Sequence, residues 1–147
     1  MIAITENGLK LPVVPKFMSL DPEYVTGLTE WAVSFTYSRD KGGITPIFGI
    51  RSSVRDIVVV AKVASFFGVG KIYRGGQGFQ KWVYFRVNKL GDLIKIVKHF
   101  ERYPLQGMKQ HAFAIWKEMV NCKRRKLPKD KAKIAELALK LSKMNSG

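Results

Sequence analysis

Acidic residues are the scarce component of this chain. Its 147 residues hold 11 Asp and Glu against 26 Lys and Arg, a formal charge of +15. The isoelectric point is near 10.1. Such an imbalance favours association with polyanions, either nucleic acid or an acidic membrane surface. Cysteine is nearly missing as well. The single Cys122 excludes an internal disulfide and a cysteine-based zinc site, and makes a reducing interior the simplest setting. His99 and His111 have no Cys or carboxylate at metal-ligand spacing, so both read as structural or surface residues. No nucleophile elbow or catalytic-triad spacing occurs. Apolar runs are short: none approaches the roughly 20 residues needed to cross a bilayer, so no membrane partner is expected. The opening M-I-A-I-T-E-N-G-L-K has neither the charged-then-apolar order of a signal peptide nor the Arg/Ser-rich character of a transit sequence. The chain is therefore expected to be made where it works, or to be a trimmed form.

What is present suffices for one domain, since 46% of the residues are apolar and can bury a core. Residues 1–19, with Pro12 and Pro15 and little periodicity, read as an extended leader. Ser19 or Asp21 can cap a helix over about 22–31, with Pro22 in its first turn and Val25, Leu28 and Trp31 at helical spacing. From Val33 to Arg39 the period drops to two, Lys41-Gly42-Gly43 is a turn, and Pro46 to Ser52 reads as the second strand of a hairpin. Asp56 to Phe67 is a buried helix closed by Gly68. Two strands, Gly70–Arg74 and Lys81–Val87, flank the loop G-G-Q-G-F-Q. This loop joins strand to strand and is not a nucleotide-binding fingerprint.

Lys89 to Phe100 is amphipathic, with Leu90, Leu93, Ile94, Val97 and Phe100 on one stripe. A helix over about 108–121 follows, then the run Lys123-Arg124-Arg125-Lys126. Pro128 opens a last helix to about Met144, striped by Ile134, Leu137, Ala138 and Leu141. The expected division is a leader (1–19), a main domain (20–121) and a basic helical extension of it (122–147). No internal repeat is visible.

The stretch Y-V-T-G-L-T-E-W-A-V-S-F, Tyr24 to Phe35, resembles the signature helix of the LAGLIDADG homing endonucleases, whose usual form is close to Y-L-A-G-F-I-D-G-D-G-S-F. The resemblance continues through F-F-G-V-G-K-I-Y, W-V-Y-F-R-V, H-F-E-R-Y-P-L-Q-G-M-K and the terminal K-M-N-S-G, over roughly residues 20–147 and in the order of the single-motif, intron-encoded organellar branch. It implies an α+β fold, α-β-β-α-β-β-α with C-terminal helices, an antiparallel saddle sheet and helices packed on one face. It also implies an organellar setting, with a mitochondrion favoured.

The family cuts DNA with divalent ions held by the second acidic residue of its signature. Here Glu30 stands at the first acidic position and Ala32 at the second. Glu30 lies about 200° around a helix from the required direction, and reads as a satisfier of backbone donors or of a neighbouring basic group. The resemblance thus implies a scaffold retained and a cutting carboxylate lost, with Mg2+ required in the alternative that the chain still cuts. Lys109 lies where the family often places a basic residue near the active site.

Nucleic acid is the expected partner. Alternation would turn Val33, Phe35, Tyr37, Phe48, Ile50 and Ile72 toward the helices. Ser34, Thr36, Ser38, Gly49, Arg51, Tyr73, Lys81 and Val83 would face away, on the side where the resemblance puts the DNA major groove. Hydroxyls and an arginine there can meet base edges, and lysines can neutralise phosphates. Lys41 sits in the hairpin turn, Arg74 and Lys81 flank the glycine-rich loop, and Lys123, Arg124, Arg125 and Lys126 form a basic run that favours backbone contact.

One copy of the signature implies a homodimer or hetero-assembly through the 22–31 helix, although Trp31 is bulky near the crossing. Three functions fit: a non-cutting binder of DNA or structured RNA, including a component of a splicing or ribosomal ribonucleoprotein; an active homing endonuclease; or a structural protein whose charge serves solubility.

Overall fold

The computed structural model describes residues 19–146; the expected leader lies, apart from Ser19, outside the described residues. Helix α1 spans Pro22–Ala32. The Asp21 carboxylate accepts the Glu23 N–H at 3.0 Å, which satisfies a helix-end donor as an N-cap should. Strand β1 (Val33–Asp40) follows without a loop, and β2 (Gly43–Ser53) returns through the turn. A 3-10 turn, Val54–Asp56, leads into α2 (Ile57–Phe67), which Gly68 closes with a left-handed φ of 68°. Strands β3 (Lys71–Gly75) and β4 (Trp82–Val87) precede α3 (Leu90–Arg102), α4 (Lys109–Arg125) and α5 (Asp130–Ser146). This α+β order, with one antiparallel sheet, is the architecture expected from the sequence.

The sheet order is β1-β2-β4-β3. Val33 pairs with Ile50 and Asp40 with Gly43, while β4 takes up only Phe48 to Ser53 on the other side of β2. Pro46, lacking a donor, therefore sits where β2 has a partner on one side alone, the position a strand proline tolerates.

Helices cover one face of the sheet. Phe35 stands at the centre of that layer, its ring 5.2 to 5.6 Å from the rings of Phe48, Phe100, Phe113 and Trp116. The Trp116 indole N–H is buried and donates to the carbonyls of Thr36 (3.1 Å) and Ile47 (3.0 Å), so it is not stranded. Helix α5 buries Ile134, Leu137, Ala138 and Leu141, the stripe read from the sequence. It is also tied to β1, because the Asn145 amide donates to the Phe35 carbonyl at 3.0 Å and the Tyr37 and Ser142 hydroxyls meet at 2.6 Å.

Three expectations are corrected. Trp31 does not belong to the buried stripe of α1. It is 90% exposed, and Val25, Thr26 and Thr29 are the residues buried there. Val83 does not face away from the helices: it is fully buried with Phe85 and Val87, and the alternate residues Trp82, Tyr84 and Arg86 take the open face. The fourth helix runs on to Arg125, so Lys123, Arg124 and Arg125 form its last turn, where positive charge suits the helix dipole.

Candidate nucleic-acid interface

The register fixes which side chains share the open face. One row across the sheet reads Ser34, Gly49, Arg86, Lys71. The next reads Arg51, Tyr84, Tyr73, and the one beyond it Ser53, Trp82, Gly75. Thr36 and Ser38 extend the face along β1. Ser34, Thr36, Ser38, Arg51 and Tyr73 are thus brought together as anticipated. Lys41 is exposed in the hairpin turn and Lys81 just before β4. Arg74 pairs with Val83, so its register places it on the helix side of the pleat, at the sheet edge.

Lys71, Trp82, Tyr84 and Arg86 are the residues the sequence reading left out. Burial of Val83, Phe85 and Val87 turns the whole alternate set outward. The Tyr84 ring lies over Gly49, where a β-carbon would come within 2.7 Å of it. The Trp82 ring lies over Gly75 in the same manner. Both glycines are needed for that close approach. The Arg51 guanidinium sits 4.4 Å from the Trp82 ring centroid. That of Arg86 sits 4.9 Å from the Tyr73 ring and donates to the Tyr73 hydroxyl at 3.0 Å. Tyr73 and Tyr84 are neighbours, with centroids 6.4 Å apart and planes tilted by 35°. Burial pushes the Tyr84 phenol above its ordinary range, partly offset by Arg86 and Arg51, so it stays neutral at physiological pH. Lys71 and Arg86 line one groove with Tyr73, Lys89 and Asp92.

The basic run lies at the far end of α4. Lys123, Lys126 and Lys131 rim a cavity of about 410 Å³ whose wall includes Gly42 and Gly43 of the hairpin turn. The run is thereby brought to the same end of the molecule as Lys41. Arg124 lines a separate groove with Lys98, Glu101 and Lys117. Arg125 differs from its neighbours: it pairs with Asp130 at 3.0 Å and Glu118 at 3.4 Å. Asp130 is buried, also accepts the Leu127 N–H at 3.0 Å, and has its carboxyl held low first by the Arg125 hydrogen bond. Arg125 therefore fastens the α4–α5 junction.

At the end of α1, Glu30 and Lys109 face structural partners. The Glu30 carboxylate accepts the Gln106 N–H at 2.6 Å and the Gly107 N–H at 3.1 Å, just before α4 begins. The Lys109 ammonium donates to the Val33 carbonyl at the C-terminal end of α1. Burial pushes the Lys109 pKa down, and the Glu30 charge partly restores it. Between them Ala32 is half-buried and offers a methyl group to a groove shared with Tyr24, Leu28, Ile50, Ser52 and Asp56. Among the described residues no group of three or more His, Cys, Asp and Glu could hold a metal ion. With Glu30 engaged and Ala32 apolar, the donors at this helix end do not fit a hard divalent cation, which takes several oxygens.

His99 is buried as a structural residue, its Nε2 at 3.0 Å from the Thr26 hydroxyl. No described helix is long and apolar enough to cross a membrane.

The chain thus combines a four-stranded antiparallel sheet, a capped first helix and an open face that carries Arg51, Arg86 and Lys71. The sequence profile of the LAGLIDADG endonucleases matches residues 25–120, and the chain belongs to that family. It is similar to the crystal structure of a homing endonuclease, I-TnaI, with a TM-score of 0.75, 26% identity, and coverage of 88% of this chain and 96% of that one. It is also similar to the LAGLIDADG meganuclease I-CpaMI bound to uncleaved DNA, with a TM-score of 0.70 and 26% identity over 81% of this chain and 43% of that one. A 50.9 kDa protein in ND4 intron 1 of Podospora anserina is 27% identical over 111 residues, 69% of this chain and 24% of the relative. The chain thus spans about a quarter of that curated relative.

Proposed function

We propose that this chain is a LAGLIDADG-derived nucleic-acid-binding protein whose own residues no longer supply the cutting site. The observation that carries the reading is Ala32. It ends α1 with a methyl group while the nearest signature carboxylate, Glu30, is held by two backbone N–H groups. Binding draws on other residues: the open sheet face with Arg51, Arg86 and Lys71, and the basic end of α4 with Lys41 nearby. The charge of +15 supplies the sequence-independent attraction for phosphate. Support comes from the I-CpaMI relative, captured on DNA. The target is DNA or structured RNA, within an organellar intron or ribonucleoprotein setting in keeping with the intron-borne Podospora relative.

A partner is part of the reading. Tyr24 (52% exposed) and Trp31 (90% exposed) lie one above the other on α1, with Gly27 open between them. The chain covers 43% of the I-CpaMI chain, which favours a second copy or a companion subunit on this helix. A companion bearing its own acidic residue is the route by which the endonuclease alternative would operate.

The test is incubation with supercoiled plasmid and a randomised duplex library in Mg2+, beside the Ala32→Asp variant, with binding followed by electrophoretic mobility at increasing salt. Binding that weakens steeply with salt, without strand scission by the native chain, is the expected result. Metal-dependent double-strand cleavage by the native chain would overturn the loss of cutting, and binding indifferent to salt would overturn the nucleic-acid role.

A further inference from the structure

The open face of the sheet is built for more than phosphate. A surface that reads a duplex needs flexible hydrogen-bonding groups aimed at base edges in a groove. Across β2, β4 and β3 the central positions are instead aromatic and planar: Trp82, Tyr84 and Tyr73 with Arg51 and Arg86. None of these rings closes the hydrophobic core, which lies on the opposite face with Val83, Phe85 and Ile72. Their positions are enforced from below. Gly49 lets the Tyr84 ring lie down against the sheet, and Gly75 does the same for Trp82. Arg51 and Arg86 then lie over Trp82 and Tyr73, so their planar guanidinium groups form the outer layer of the platform above those rings.

Charge points the same way. Arg86 and Lys71 are directly opposed across β3 and β4, a like-charge pair. They share a groove with Lys89 against the one carboxylate Asp92, which leaves the groove net positive. Ser34 ends that row with an exposed hydroxyl. Aromatic and guanidinium planes flanked by cations recognise unstacked bases, each ring meeting a base face while the cations meet the backbone. Duplex DNA hides its base faces, whereas structured RNA displays them in loops, bulges and ends.

Resting on the nucleic-acid-binding reading above, we propose that the β2–β4–β3 face is a stacking platform for unpaired bases of RNA. Tyr84 offers its ring, Arg86 and Arg51 offer the guanidinium planes held over Tyr73 and Trp82, and Lys71 takes the adjoining phosphate.

The experiment is fluorescence anisotropy with the full chain and three labelled probes of equal length: oligouridine, oligodeoxyuridine and a blunt DNA duplex. The double variant Tyr73→Leu/Tyr84→Leu is compared with Tyr73→Phe/Tyr84→Phe, and each is checked for a native thermal transition. Loss of the rings is expected to weaken oligouridine binding about 10- to 100-fold, and duplex binding by a distinctly smaller factor. The salt slope should be unchanged, since no charge is removed. The phenylalanine pair should bind oligouridine within about threefold of the native chain, because the π faces remain. The proposal fails if the leucine pair binds oligouridine as the native chain does, or loses duplex affinity equally. Tighter binding of the deoxy strand than of oligouridine would overturn the assignment to RNA. Salt-dependent duplex binding that survives in those cases leaves the broader nucleic-acid reading standing; its absence from the native chain with every probe would overturn both.

Discussion

Glu30 and Lys109 each serve the end of the other's helix. The Glu30 carboxylate takes the backbone N–H groups of Gln106 and Gly107 at the approach to α4, and the Lys109 ammonium takes the Val33 carbonyl at the close of α1. Negative charge at a helix start and positive charge at a helix end both favour the macrodipoles. The two contacts clamp α1 onto α4 across Ala32. Because hydrogen bonds to a charged group contribute about 1.5–3 kcal/mol, Glu30→Gln is expected to lower the unfolding free energy by about 1–2 kcal/mol. Lys109→Met should cost a similar amount. The pair should couple by about 0.5–2 kcal/mol in a double-mutant cycle from urea denaturation; strict additivity would show that the contacts act independently.

The close of α4 offers an opposite change. Lys126 adopts φ 55°, ψ 32° as the C-cap, and is the non-glycine residue with positive φ among the described residues. A left-handed conformation costs an ordinary L-residue roughly 1–2 kcal/mol, and glycine adopts it freely. Lys126→Gly should therefore raise stability by about 0.5–1 kcal/mol, less than the full difference because glycine also loosens the unfolded chain. The same variant removes a cation from the rim beside Lys123 and Lys131. Salt titration of nucleic-acid binding should accordingly show a shallower slope. A stabilised variant with unchanged slope would place Lys126 off the phosphate path.

The platform residues give a packing test. A β-carbon on Gly49 would approach Tyr84 ring atoms to 2.7 Å, so Gly49→Ala must displace the ring or the strand. Overpacking of this kind costs about 1–3 kcal/mol. The exposed end of the ring can yield, so a loss near 1 kcal/mol is expected in Gly49→Ala. Tyr84→Ala should abolish most of that penalty in the double variant, measured by thermal or chemical denaturation. A penalty that persists without the ring would locate the strain in the backbone instead.

Much of this architecture was legible because two periodicities were clear. The α5 stripe of Ile134, Leu137, Ala138 and Leu141 and the alternation of Val33, Phe35 and Tyr37 each place one kind of side chain on one face. Strand β4 defeated that logic. W-V-Y-F-R-V carries large apolar or aromatic groups at five of its six positions, so hydrophobicity does not say which parity is inside. Reading it one residue out of phase sends Val83 to the open face and hides Tyr84 and Arg86 from view. The signal that could have corrected it is chemical: Arg86 shares parity with Trp82 and Tyr84, and an arginine opposes burial in the core. Trp31 misled for a different reason. Helical spacing identifies an apolar stripe, but not whether this chain or a partner covers it.

The signature helix also holds, through Thr26, the buried titratable His99 of α3, which sets an acid limit. The Thr26 hydroxyl donates its one proton to the Tyr103 carbonyl at 2.9 Å. Its oxygen must then accept at the 3.0 Å contact with His99, which assigns the ring proton to Nε2 of a neutral imidazole. Phe66, Phe67, Phe100 and Tyr103 surround that ring. Burial lowers the His99 pKa from 6.5 to about 4. Between those values the unfolded chain holds a proton that the folded chain does not, so stability rises with pH across this window. The contribution is therefore fully present above the unfolded value and is lost as pH falls toward the folded one. Partial solvent access around the ring reduces the loss to about 2 kcal/mol, below the product of the full shift and 1.36 kcal/mol per unit. Urea denaturation from neutral pH down to the folded pKa should show this decline in the native chain. His99→Gln, which keeps a donor but does not titrate, should show a flatter profile over the same window. An equally steep profile in the variant would assign the acid sensitivity to the carboxylates.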